Sequence, residues 1–220
     1  MILTVGGDAA SKGAQEVMQA LAINDPDAPD WKYVCKVWPQ PRTEEQNLAD
    51  MQLATHLGIE KNVIYTTSRV SRNFMPYLLA ACDIYAAPSR LEGFGMIQIE
   101  ANACEKPVIG IKAMGMLDTL VHGKTAFLAD VAQEIRLREA MLGDESGYES
   151  GHKHTFKRPR IVDYRASVHD IANYLMDLMK KSELREQMGA EGRKRAVENF
   201  DYRVIAKKFV NIVSKRLGIS

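Results

Sequence analysis

The chain has 220 residues, of which 46% are apolar and 26% charged, with a formal net charge of +1. That length suits one large domain and leaves two full domains cramped, and the composition lies far from the polar, highly charged corner where disorder is found. With 29 basic residues against 28 acidic ones, no global field exists to draw nucleic acid or an anionic membrane to the surface.

MILTV is a short apolar run that collapses into the small-residue segment GGDAASKG and then into AQEVMQALA, which has helical spacing. It reads as strand, glycine-containing loop, helix. The grammar repeats with KYVCKVW, NVIYTT, DIYAAPS and PVIGI as strands and with TEEQNLADMQLATHLG, NFMPYLLAAC and FGMIQIEANAC as helices between them. From about 136 to 167 the pattern fails: LGDESGYESGHKHTFKRPR carries glycines, charges and one proline without sustained periodicity, and reads as an irregular insertion. Beyond it Val168, Ile171, Leu175 and Leu178 fall on one helical stripe, SELREQMGAEGRKRAVENF follows as a charged helix, and DYRVIAKKFVNIVSKRL completes a helical tail over about 168–217. No internal repeat stands out.

Continuously apolar strands separated by helices of about 10 to 15 residues imply parallel pairing with helices on both faces. The expected fold is a single α/β domain over 1–220 with a doubly wound, Rossmann-like parallel sheet. Such sheets bind ligands at the carboxyl ends of their strands, which directs attention to GGDAASK, SRVSR, SRLEGFG and KAMGMLD.

Among these, PSRLEGFGMIQIEANA has the chemistry of an anion site: a strand ends, a Glu and two glycines follow, and an apolar helix begins. Gly93 and Gly95 let a backbone approach a ligand without a Cβ in the way, and the first free N–H groups of the helix, from about Gly95 to Ile97, face negative charge. Glu92 and Glu100 are eight residues apart, one in the loop and one inside the helix, so that they can grip opposite ends of one ligand. A carboxylate accepts hydrogen bonds strongly from sugar and ribose hydroxyls.

These residues resemble the donor site of retaining, nucleotide-sugar-dependent glycosyltransferases of the GT-B fold, family four, also known as glycosyl transferases group 1. VGGDAASKG, ACDIYAAPSR, KPVIGI, MGMLDTLVHGKTAFL and MGAEGRKRAVENFDY follow in the family's order. The resemblance implies that Glu92 holds donor-sugar hydroxyls, that Gly93, Phe94, Gly95, Met96 and Ile97 hold the diphosphate, and that Glu100 holds the ribose. It further implies that Lys12 neutralises the leaving diphosphate, making Lys12 and Glu92 the catalytic pair, and that backbone around Val70 and Arg72 surrounds the base.

The sequence departs from the family's pattern in two places. Gly7 stands where a phosphate-binding arginine is usual, with Arg69, Arg72 and Arg90 as the candidates for a replacement charge. Met114, Gly115 and Met116 replace the usual paired glycines, and Asp118 the usual Glu. The resemblance also implies that the chain is the C-terminal half of a GT-B enzyme whose N-terminal acceptor domain is absent, that the terminal helix packs toward that domain, and that the isolated domain is inactive. The donor is then a UDP-, GDP- or ADP-hexose, with no metal or other cofactor and with a sugar or glycan acceptor. Two alternatives stay open: a trehalose-type disaccharide phosphorylase or synthase of the same family, and a non-catalytic sugar-nucleotide-binding module working with a partner.

Other features carry less. His152 and His154 have no third ligand at metal spacing, and Lys153, Lys157, Arg158 and Arg160 read as a solvated loop rather than a nucleic-acid surface. The methionines read as core fillers. Cys35, Cys82 and Cys104 sit singly, without CxxC spacing, which fits a reducing cytosol. No apolar run reaches the roughly 18 to 20 residues of a membrane span, and no signal peptide opens the chain. The expected location is cytoplasmic, peripheral to a membrane within the full-length enzyme.

Overall fold

The computed structural model describes residues 1–6, 9–23, 27–38, 41–141, 153–159 and 161–218. Strands and helices alternate through the first part of the chain: β1 (Ile2–Val5), α1 (Ala14–Leu21), β2 (Tyr33–Lys36), α2 (Pro41–His56), β3 (Val63–Thr66), α3 (Met75–Ala81), β4 (Ile84–Ala86), α4 (Met96–Ala103), β5 (Val108–Ile111), α5 (Met116–Thr119) and β6 (Ala126–Ala129). The six strands form one sheet in the order β3-β2-β1-β4-β5-β6, every pair parallel. This is the doubly wound architecture expected of unbroken apolar strands. β1, β4 and β5 are buried along their whole length, while β3 at the edge is half-exposed.

The order reverses between β1 and β4, which pair directly although Ile2 and its partner Ile84 stand 82 positions apart. Loops that leave such neighbours in opposite directions open a crevice at the carboxyl ends of the strands. The loop after β1 carries Lys12, and the loop after β4 carries Glu92.

Three helices complete the domain. α6 (Val168–Lys180) begins at Ser167, whose Oγ accepts a 3.2 Å bond from the Asp170 amide, and packs Ile171, Leu175 and Leu178 into the core against α1. α7 (Ser182–Phe200) lies on α4 through Met188, Gly189, Gly192 and Ala196; a Cβ added to Gly189 would strike the Glu105 carbonyl. α8 (Tyr202–Leu217) starts where the Asp201 side chain accepts from the Arg203 amide at 2.8 Å, and none of its residues is buried. Among the described residues no helix is long and apolar enough to cross a membrane.

The insertion is not irregular in its described parts. β7 (Val131–Leu137) pairs antiparallel with β10 (Ile161–Ala166), and β8 (Glu139–Met141) with β9 (Lys153–Thr155). No residue of β7 is buried, so the ribbon is held by ladder hydrogen bonds and shows none of the apolar alternation that marks a half-buried strand. Residues 142–152 and 160, including His152 and Arg160, lie outside the described residues. β6 also escaped the sequence reading, because AFLA is short and follows a glycine turn.

Candidate functional site

The turn between β4 and α4 brings together residues far apart in sequence. Lys12, in a single 3-10 turn at Ala10–Lys12, places its Nζ 2.7 Å from Glu92 Oε2. Glu92 Oε1 accepts the Gly95 amide at 3.1 Å, and the hydroxyl of the buried Ser89 lies 3.4 Å from Oε2. Burial pushes the Glu92 carboxyl up, but the hydrogen bond and charge of Lys12, together with the amides of Gly95 and Phe94, outweigh it and hold the group below its ordinary 4.5. The two catalytic candidates therefore meet as a largely buried ion pair.

Gly95 is the N-cap of α4 at φ +86, a left-handed conformation that costs glycine little. No side chain caps this helix. The amides of Met96 and Ile97 make no hydrogen bond with a described residue, as expected of a helix start that can hold an anion. The Gly95 amide, expected to be free, is not: Glu92 takes it.

The turn rests on the loop after β5. Met114 Sδ accepts the Glu92 amide at 3.3 Å, and a Cβ on Gly115 would strike the Gly93 carbonyl and the Phe94 Cα. Met114 has φ +54, a left-handed conformation that glycine would adopt at less cost. Gln98 is fully buried one turn into α4; its Nε2 lies 3.4 Å from Ser89 Oγ, and its Oε1 has no partner among the described residues. Ser89 and Gln98 were not singled out by sequence reasoning, and Met114 and Gly115 only as departures from the family's pattern. The available signal was a polar residue within an apolar run, as at Ser89 and Gln98.

The remaining candidates lie elsewhere. Glu100 is exposed on α4, its carboxylate makes no hydrogen bond or ion pair with a described residue, and it lines an apolar groove of about 550 Å³ with Phe94, Met96, Phe200, Tyr202 and Ile205. The Phe94 and Phe200 rings meet edge to face at 6.1 Å. Glu92 does not line this groove, so the two carboxylates occupy different surroundings. Val70 is half-buried and Arg72 exposed in the loop after β3, where the Arg69 and Arg72 side chains pair with no described residue. Arg90 is not available as a replacement charge: its Nε and Nη2 bind Glu16 at 3.0 and 3.1 Å, and Nη2 also binds Gln15 at 2.7 Å. Gly7 lies outside the described residues. Among the described residues no three His, Cys, Asp or Glu side chains gather as metal ligands.

The family described as Glycosyl transferases group 1 matches residues 1–149, more than half of the chain and all of the Lys12 and Glu92 loops. The chain belongs to this family. A family relative, N-acetyl-alpha-D-glucosaminyl L-malate synthase of Bacillus anthracis, is 26% identical over 162 residues, covering 74% of this chain and 33% of that enzyme. HepE of Anabaena, solved in complex with UDP and glucose, superposes with a TM-score of 0.70 at 21% identity, over 97% of this chain and 48% of HepE. The C-terminal domain of LpcC, a group 1 glycosyl transferase of Francisella tularensis, superposes with a TM-score of 0.68 at 22% identity, over 91% of this chain and 86% of that domain. The chain thus spans about a third to a half of the full-length relatives, and its fold is the Rossmann-like half of a GT-B glycosyltransferase.

Proposed function

We propose that the chain is the nucleotide-sugar-binding part of a retaining glycosyltransferase that moves a hexose from a nucleoside diphosphate sugar to a sugar or glycan acceptor. The observation that carries the reading is the Lys12–Glu92–Gly95 cluster beside the uncapped start of α4, at the point where the strand order reverses. In the free protein Glu92 supplies the negative charge that Lys12 and the turn amides require. A donor diphosphate competes for Lys12 and takes the amides of Met96 and Ile97, which releases the Glu92 carboxylate toward the hydroxyls of the donor sugar.

Catalysis in this reading is electrostatic. Charge developing on the departing diphosphate is met by Lys12 and the helix start, and transfer with retention follows a front-face route assisted by the donor's own phosphate. The reading assigns no side-chain nucleophile and no metal. Glu100 receives the ribose, the loop holding Val70 and Arg72 flanks the base, and the UDP bound by HepE supports a nucleotide at this kind of fold. The acceptor belongs to a further domain of a longer, cytoplasmic enzyme, against which the exposed apolar side of α8 packs.

Calorimetric titration with UDP, GDP, ADP and their glucose conjugates tests the reading. One nucleotide should bind saturably, about 1.5–3 kcal/mol more weakly in Glu100→Ala, while the chain alone transfers no sugar. Binding of glucose 1-phosphate without any nucleotide would replace this reading with a phosphorylase.

A further inference from the structure

The β7–β10 ribbon is fastened to the Lys12 and Glu92 loops by two routes. Along the backbone, the Tyr164 amide donates to the Arg90 carbonyl at 2.9 Å, and the Arg90 amide donates to the Ser11 carbonyl at 2.9 Å. Ser11 adjoins Lys12 and Arg90 stands two residues before Glu92, so one series of hydrogen bonds joins the ribbon to both loops. Through side chains, Arg165 Nη1 reaches Glu16 Oε1 at 3.3 Å, and Arg90 grips the same carboxylate with two nitrogens. Asp163 accepts from Arg165 Nη2 at 2.9 Å, which balances two acids against two bases.

This network is expensive. The Glu16 side chain is 6% exposed and that of Arg90 12%, and Arg165 Nε and Asp163 Oδ1 are buried with no partner among the described residues. Taking ionised groups out of water is costly, and apolar residues of similar volume often serve stability as well. Stability alone therefore does not account for charges here. What they add is direction: a bidentate guanidinium fixes both the distance and the angle between the elements it joins.

We propose that Glu16, Arg90 and Arg165 are positioning residues that lock the ribbon onto the two loops of the candidate site, so that the ribbon sets how tightly the site holds a nucleoside diphosphate. The part of this inference that concerns affinity rests on the donor-site reading; the fastening itself does not. The Gly95 amide, bonded to Glu92, reports the order of the turn without any ligand.

The experiment compares the 220-residue chain with Arg165→Met, which keeps the apolar stem and removes the charge. Amide exchange across 93–96 is followed in the free protein, and UDP, GDP and ADP are titrated well below the melting temperature. Exchange about fivefold faster and nucleotide affinity about fivefold weaker are expected, with Arg165→Lys recovering part of both. A variant that melts earlier while exchange and affinity stay at wild-type values would overturn the proposal. Should Arg165→Met not fold, Glu16→Gln, which keeps shape and acceptor oxygen, decides by the same readouts. If the wild-type chain binds no nucleoside diphosphate, the donor-site reading fails, and the exchange comparison still decides whether the ribbon orders the turn.

Discussion

Glu92 stays ionised in surroundings that would otherwise favour its neutral form, because Lys12 and two backbone amides stabilise the carboxylate more than burial disfavours it. A carboxyl held below its unfolded value adds stability above that value and loses it as pH falls through the lowered one. Glu92→Gln should therefore cost about 1.5 kcal/mol near neutral pH, and the gap between the melting temperatures of wild type and variant should close as pH falls below 4.5, the ordinary value. A gap that persists unchanged in acid would mean that the pair contributes no charge-dependent stability. Lys12 and Glu92 could be singled out in the sequence because the segments that carry them resemble the family's motifs. Their mutual contact was not legible, nor was the support from Met114 and Gly115, since those contacts exist only once β1, β4 and β5 lie side by side.

At the level of elements, the strands most easily read were those buried on both faces. β1, β4 and β5 are apolar at nearly every position, because helices cover both sides of the sheet. The β7–β10 ribbon gave no such signal, since its strands bury little and carry charges that serve the fastening to Glu16. α7 read as a charged helix for a related reason: its contact stripe consists largely of glycine and alanine, which permit close approach without raising hydropathy. α6 showed both its stripe and its cap. Because Ser167 Oγ satisfies the Asp170 amide, Ser167→Ala should lower stability by about 1 kcal/mol, measured by denaturant unfolding. An unchanged midpoint would show that water replaces the cap at no cost.

Across the whole molecule, alternation of strands and helices gives a parallel sheet, and the strand order reverses between β1 and β4, the place where sheets of this kind take their ligands. Family membership follows from residues 1–149, and the superposition on HepE and LpcC extends the same architecture over nearly the whole chain. Base, sugar and acceptor are not written in the motif, because the roles proposed for the helix start and Lys12 concern phosphate, which every nucleotide-sugar donor shares. We propose above all that a donor diphosphate binds between Lys12 and the first turn of α4. Backbone amide shifts recorded by NMR during titration with the nucleoside diphosphate that binds provide the test. The largest changes are expected at Gly95, Met96 and Ile97, abolished together with binding in Lys12→Ala. Saturable binding that leaves these three amides unmoved would contradict it.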